Sequence, residues 1–327
     1  MQFLKNAVKI VISFGLLAYL IIDADPARIL QTMRKVVDAD GIVYAVYALI
    51  FYLISIALMA VRWDVLLRGY HIKLPLSALL GYYIIGLFFN NFLPTSIGGD
   101  VVRIYKVIEA TGDRTHGFSS VIIERILGIA ATLFLAIVSL AFISEHVTSA
   151  RVFYIIFTLF IFILGFMYIL IRRRPFILLL KLFDKITIFH IGERINKLLE
   201  SIHYFRARRR ILLYVFILSL FSQIAVVFMN YFIVKSFSLK IDLFYLFMVV
   251  PVTFILTMLP SINGMGVREF GYVRLLSVVG IDKAAAISLS FMNILIPILI
   301  SVWGAGLFIF QKRKIKQGDI DAIRSSL

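Results

Sequence analysis

Apolar residues gather in long runs along this chain, near 8–22, 41–61, 76–93, 119–143, 152–171, 211–234, 243–259 and 285–310. A helix that crosses a bilayer core needs roughly 20 mostly apolar residues, and several of these runs reach that length. Two further segments, 97–112 and 263–281, are of intermediate polarity, and each follows a run that ends in Leu-Pro. Residues 26–37 place Ile29, Leu30, Met33, Val36 and Val37 at helical spacing with Arg28, Arg34 and Lys35 elsewhere, which predicts a short helix lying in a membrane interface. The longest polar connection, 172–210, opens on Arg172-Arg173-Arg174, closes on Arg206, Arg208, Arg209 and Arg210, and holds apolar clusters such as Phe176 to Leu180. It reads as amphipathic helix on a membrane face and is too short for a catalytic domain.

Composition supports this picture. The chain of 327 residues is 61% hydrophobic with a mean hydropathy of +0.99, whereas a soluble domain is about half apolar. The excess needs lipid as its solvent, so a soluble enzyme is excluded. The formal net charge is +16. In a soluble chain that would point to nucleic acid. Here the basic residues lie beside apolar runs, so they mark cytoplasmic loops and anionic headgroup contacts, and no nucleic-acid partner is expected. There is no cysteine, hence no disulfide, thiolate nucleophile or thiolate metal ligand. The first run resembles a signal sequence, but Asp23-Ala24-Asp25-Pro26 is a poor cleavage context, so the run is expected to remain as a first span.

Lysine and arginine bias orients the spans. With the N-terminus inside, the cytoplasmic segments take in Arg62, Arg68 and Lys73, the 172–210 loop, and the tail with Lys312, Arg313, Lys314 and Lys316. The outer loops near 144–151 and 235–242 hold only Arg151, Lys235 and Lys240. A multi-pass protein of the cell (cytoplasmic) membrane with both termini cytoplasmic is the expectation. The assignment has a parity problem: if 76–93 and 243–259 cross fully, the basic loops fall on the wrong sides. The problem vanishes if each run enters partway, breaks at its proline and returns.

The two breaks resemble each other. Leu93-Pro94-Thr95-Ser96-Ile97-Gly98-Gly99-Asp100-Val101-Val102-Arg103-Ile104-Tyr105 is matched by Leu259-Pro260-Ser261-Ile262-Asn263-Gly264-Met265-Gly266-Val267-Arg268-Glu269-Phe270-Gly271-Tyr272. Proline removes an amide donor and glycine permits unusual dihedrals, so Asn90, Asn91, Pro94, Gly98, Gly99, Pro260, Gly264 and Gly266 are the predicted helix-break positions. Neighbouring elements repeat in the same order: two spans, a broken pair, one span. The first half starts inside and the second starts outside, an inverted-topology repeat of the kind that builds secondary transporters. Two unrelated kinks in ordinary helices are the alternative. The expected fold is all-α, a single transmembrane domain over 1–327 with halves 1–150 and 151–327, six full spans and two re-entrant helical hairpins.

Charges stand where lipid should be. Asp100 and Arg103 follow the first break, Glu124 and Arg125 interrupt the next run, and Arg268 and Glu269 follow the second break. An ion at the bilayer centre costs roughly 2.5–3.5 kcal/mol on insertion scales, so these groups should face one another or water. Glu124 and Arg125 are adjacent and cannot face each other on a helix, so each needs a partner elsewhere. Two readings stand side by side: pairs that hold the bundle together, or a polar route for a charged headgroup, for which the planar arginine fork suits phosphate and a helix start after Gly-Gly adds an anion site. His71, His116, His146, His190 and His203 show no metal spacing, and neither nucleotide-binding glycine loop is present. No cofactor, no metal and no catalytic residue is predicted, and any driving force must come from a gradient, membrane potential or downstream consumption.

Asn90-Asn91-Phe92-Leu93-Pro94 with Gly98-Gly99-Asp100 and Arg103, and Leu259-Pro260 with Gly264, Gly266, Arg268 and Glu269, resemble the flippase-like family also called the lysylphosphatidylglycerol synthase transmembrane region. The resemblance covers nearly the whole chain. It implies a lipid-translocating domain. The family's bifunctional members carry a soluble aminoacyl-transferase domain after the membrane part, and this sequence ends at Leu327, so the synthase activity is not expected to carry over. The expected function is movement of a lipid with an anionic headgroup, a phospholipid or a polyprenyl-phosphate-linked lipid, along Asp100, Arg103, Glu124, Arg125, Arg268 and Glu269. Arg103 and Arg268 are the expected paired headgroup contacts, one from each half. The competing classes are an intramembrane lipid-modifying enzyme (a glycosyl- or acyltransferase) and a scaffold in lipid or hopanoid biosynthesis. A homo-oligomer or a lipid-biosynthesis enzyme is a further possible partner.

Overall fold

A computed structural model describes residues 2–92, 98–142, 150–172, 199–201, 203–257, 261 and 264–325. Pro94, Pro260, nearly all of the 144–151 connection and most of the 172–210 loop lie outside the described residues. The described residues form eleven α-helices and two short 3₁₀ turns, with no strand. We number the helices α1 Gln2–Asp23, α2 Pro26–Arg34, α3 Ala39–Gly69, α4 Leu76–Phe92, α5 Gly98–Thr111, α6 Arg114–Phe142, α7 Ala150–Ile171, α8 Arg209–Ser236, α9 Leu243–Leu256, α10 Val267–Ser277 and α11 Lys283–Ser325.

Among the described residues, four stretches are long and apolar enough to cross a bilayer: Ala39–Gly69, Arg114–Leu140, Arg209–Ser236 and Lys283–Phe310. Along α3 the large apolar residues Ile42, Val43, Val46, Tyr47, Ile50, Leu53 and Ile54 all point outward. A band of that size has no place in water and marks a lipid-facing surface. Ser13–Asp23, Leu76–Asn91 and Leu243–Leu256 are apolar but shorter.

The longest interhelical seam joins α3 and α8. Phe51 stacks on Phe228 and Phe232 at centroid separations of 5.2 and 5.3 Å, with Tyr47 also 5.3 Å from Phe232. The shorter helices then cross over: α4 packs on α11, and α9 packs on α6. The α4–α11 crossing is close because residue 304 is glycine; a Cβ there would sit 2.3 Å from the Ile84 carbonyl oxygen. Two apolar cores result. One, with Trp63, Leu66, Leu79 and Ile123, lies at the C-terminal end of α3. The other, with Ile233, Leu246, Leu276 and Ile287, joins α8, α9, α10 and α11.

Each pair of short helices returns to the end of the bundle from which it started. Tyr70, just past α3, lies 4.4 Å from His116 at the start of α6, ring to ring, so the chain between them goes out along α4 and back along α5. Tyr245 at the start of α9 donates its hydroxyl to the carbonyl of Leu275 near the end of α10, at 2.6 Å. At about 1.5 Å per residue, α5 and α9, with 14 residues each, span roughly 21 Å, less than the roughly 30 Å bilayer core. The return of α4–α5 depends on Gly99, whose amide donates to the Asn90 side chain at 2.7 Å and whose missing Cβ leaves room for the Gly86 carbonyl.

The segment 26–37 is helical as expected, as α2 followed by a 3₁₀ turn, with Ile29 buried and Leu30 and Val37 exposed. Asp25 caps it by accepting from the Ala27 amide at 3.0 Å. Asp23, at the end of α1, pairs with Lys283 at the start of α11 at 2.6 Å, which puts these two helix ends at one face of the bundle.

Candidate functional site

Five charged side chains from three helices form one alternating chain. Arg62 on α3 donates to Glu124 Oε1 on α6. Arg103 on α5 donates to Glu124 Oε2 at 2.5 Å and to Asp100 Oδ1 at 3.3 Å. Arg125 on α6 donates to Asp100 Oδ2. The order is therefore Arg62, Glu124, Arg103, Asp100, Arg125, positive and negative in turn. Tyr83 on α4 gives its hydroxyl hydrogen to Glu124 Oε1, and Arg62 also donates to Ser219 of α8 at 3.0 Å. Each carboxylate answers two arginines, so loss of one arginine leaves its carboxylate with one cation fewer, at a cost of about 1–3 kcal/mol.

Aromatic rings shape the middle of the chain. The Arg103 guanidinium carbon lies 3.6 Å from the Tyr83 ring centre and 4.2 Å from that of Trp63, and the two rings meet edge-on at 89°. Trp63 is held by its indole N–H donating to Ser120 at 3.1 Å. Arg62, Asp100, Arg103 and Glu124 are buried, whereas the Arg125 side chain is 42% exposed. Arg125 is thus the exposed member of the chain.

These five residues line a cavity of about 340 Å³. Among the described residues the lining holds three arginines and two carboxylates. The Nε atoms of Arg62 and Arg103 are buried without a hydrogen-bond partner.

A second cavity of about 310 Å³ lies against the first. Tyr52 and Met59 of α3, Leu87 and Asn90 of α4, Gln223 of α8, and Phe254 and Thr257 at α9 line both. Arg268 reaches this second cavity. Its partner Glu269, fully buried, accepts from Arg268 Nη2 at 3.2 Å, from Ser290 at 2.7 Å and from the Gly266 amide at 2.7 Å. The last bond is a helix cap: Glu269 stands three residues into the turn that Gly266, at φ 80°, opens. Glu269 therefore serves the start of α10 as much as it serves Arg268.

Two triads of opposite character stand at like positions along their helices. Glu124 is the eleventh residue of α6, which begins at Arg114, and Asn293 is the eleventh of α11, which begins at Lys283. Arg103 and Tyr272 are each the sixth residue of α5 and α10, which begin at Gly98 and Val267. Arg62 and Asn230 lie within two turns of the ends of α3 and α8. Where Arg62, Glu124 and Arg103 form ion pairs, Asn230 accepts from Tyr272 at 3.1 Å and from Asn293 at 2.8 Å. One triad is ionic and the other neutral.

The family model for the lysylphosphatidylglycerol synthase TM region matches residues 6–304. The chain belongs to that family. Among curated proteins it is similar to a UPF0104 membrane protein of Pyrococcus horikoshii, at 27% identity over 88% of this chain and 92% of the relative. It is also similar to a UPF0104 membrane protein of Methanothermobacter thermautotrophicus, at 30% identity over 42% of this chain and 40% of that protein. The match to the lysylphosphatidylglycerol synthase TM region includes every residue of both cavities.

The structure brings four of the six expected site residues, Asp100, Arg103, Glu124 and Arg125, into the first cluster and places Arg268 and Glu269 in the second. Glu124 and Arg125 do have separate partners, as helical geometry requires. Arg103 and Arg268 do not occupy equivalent turns: Arg268 is the second residue of α10, and the residue placed like Arg103 is Tyr272. Of the expected break residues, Asn90 caps Gly99 and lines both cavities, Asn91 lines the second, and Gly264 and Gly266 take positive φ. Pro94 and Pro260 lie outside the described residues.

Arg62 was expected at the cytoplasmic surface and is instead 6% exposed, at the inner end of the charge chain. Tyr83, Trp63, Asn230, Tyr272 and Asn293 carried no signal in the sequence. An aromatic or amide within an apolar run does not announce its partners.

Proposed function

We propose that this protein moves a lipid with an anionic, phosphate-bearing headgroup between the leaflets of the cell membrane. The observation that carries this reading is the alternating charge chain, which sets three arginines in the wall of one cavity with the Arg125 side chain exposed. A phosphodiester entering there has two free oxygens that match an arginine fork. Keeping the headgroup paired throughout avoids desolvating it in hydrocarbon, which is the main barrier to spontaneous flip.

The packing supports an inverted repeat of six spans and two re-entrant hairpins. α4–α5 and α9–α10 each return to their starting end, α4 packs on α11 as α9 packs on α6, and the counterpart triads fall at matching helix positions. In transporters of that plan, sites form between the halves at broken helices, and the wall shared by the two cavities draws on α3, α4, α8 and α9. The family's name refers to a phospholipid, and that agrees with a lipid substrate. Both termini are cytoplasmic in this reading.

The test uses the purified protein in liposomes containing phosphatidylglycerol with a fluorescent acyl chain. Expected is faster exchange of the label between leaflets, at unchanged lipid mass, and loss of that exchange in folded Arg103→Gln. A change in lipid mass would establish an enzyme instead. Exchange at the unmodified rate in folded Arg103→Gln and Arg268→Gln would remove the headgroup role.

A further inference from the structure

The second cavity differs in chemistry from the first. Four primary amides face it, those of Asn90, Asn91, Gln223 and Asn293. Arg268 is the one ionised side chain in its lining, and no carboxylate lines it among the described residues. Asn91 Nδ2 is buried with no hydrogen-bond partner. A buried amide donor left unpaired costs about 1–3 kcal/mol, so a site that keeps one gains on meeting an acceptor. Tyr272 and Asn293 belong to this wall, and Asn230, outside the lining, holds both through its side-chain carbonyl.

We propose that the second cavity binds the part of the lipid headgroup beyond the phosphate, and that this part is a neutral, hydroxyl-bearing group, a glycerol or a sugar-like ring. The inference rests on the phosphate reading of the first cavity. Amides offer donor and acceptor on one plane and therefore match hydroxyls, which also both give and take a hydrogen bond. A volume of about 310 Å³ is at the small end of ligand pockets and fits one headgroup moiety with the lipid tails left outside. The shared wall from Asn90 to Gln223 makes the two cavities contiguous, as a phosphate and its substituent require. A cationic headgroup meets Arg268 and finds no lining carboxylate to answer it, so ammonium-bearing lipids are disfavoured.

The experiment measures binding of dihexanoyl phospholipids to the detergent-purified protein by calorimetry. Phosphatidylmethanol keeps the phosphodiester charge and has no hydroxyl. Phosphatidylglycerol and phosphatidylinositol add a glycerol or a ring polyol, and phosphatidylethanolamine adds a cation. Expected is binding of phosphatidylglycerol, phosphatidylinositol or both about 10-fold tighter than phosphatidylmethanol, the gain from one or two added neutral hydrogen bonds, with phosphatidylethanolamine weakest. Which of the two polyols leads tells glycerol from ring. Asn91→Leu should bring the preferred lipid down to the phosphatidylmethanol affinity. Gln223→Leu, on α8, gives the same readout if Asn91→Leu does not fold. Equal affinity for phosphatidylmethanol and both polyol lipids would overturn the inference while leaving the phosphate site intact. Failure of every lipid to bind, or binding unaltered by Arg103→Gln, would overturn the phosphate site and this inference with it.

Discussion

Arg103 and Tyr83 touch face to side: the guanidinium carbon lies 3.6 Å from the ring centre, while the Tyr83 hydroxyl and Arg103 Nη2 donate to opposite oxygens of Glu124. The ring orients the cation, and the carboxylate binds both. This makes Arg103 a fixed fork and not a tethered point charge.

Arg103→Lys should therefore impair lipid exchange although charge is retained. An ammonium loses the bidentate geometry and most of the stacking, worth about 1–2 kcal/mol in a desolvated site. About a 10-fold slower exchange is expected in liposomes, with Arg103→Gln slower still. A wild-type rate in Arg103→Lys would show that charge alone suffices.

The pairing of Arg62 with Glu124 predicts a strong dependence of stability on its completeness. Arg62→Leu alone leaves Glu124 with Arg103 and Tyr83 but short of one cation, and should lower unfolding free energy by about 1–3 kcal/mol. The double variant Arg62→Leu with Glu124→Leu should cost less than the sum of the single changes. Thermal unfolding of the four proteins in detergent gives the coupling directly. Additive effects would mean the pair is not joined.

Close backbone approaches predict a graded response to alanine. Gly99→Ala places a Cβ 2.1 Å from the Gly86 carbonyl oxygen, and Gly304→Ala places one 2.3 Å from that of Ile84. Both should destabilise by about 1–3 kcal/mol or more, and Gly99→Ala should also open the α4–α5 return. Gly15→Ala and Gly306→Ala meet nothing within 4 Å and should leave the melting temperature near that of the unmodified protein.

The proposed inverted repeat predicts a labelling pattern. The chain lacks cysteine, so single cysteines report cleanly. Cysteines at the exposed positions Lys73 and Ser238 should react from the cytoplasmic and the outer face respectively with an impermeant maleimide. Ser236, although in the same outer connection, is 1% exposed and should resist labelling. Reaction of a cysteine at Ser238 from the cytoplasmic face alone would refute the inverted arrangement.

Much of the architecture is legible in the sequence because a bilayer imposes lengths and polarity. The runs 76–93 and 243–259 are the helices Leu76–Phe92 and Leu243–Leu256, and the intermediate segments 97–112 and 263–281 contain Gly98–Thr111 and Val267–Ser277. That Glu124 and Arg125 need separate partners also follows from sequence, since neighbours on a helix point about 100° apart. The identity of those partners does not. Glu124 is joined to Arg62, 62 residues away, and Arg62 stands near the end of an apolar run, where a basic residue usually meets headgroups. Only the packing of α3 against α6 and α8 turns it inward. The neutral triad of Asn230, Tyr272 and Asn293 was likewise decided by tertiary structure alone: polarity along a chain tells which side chains cannot face lipid, but which of them meet depends on the rotation and crossing of helices, and those are set by the fit of surfaces far apart in sequence.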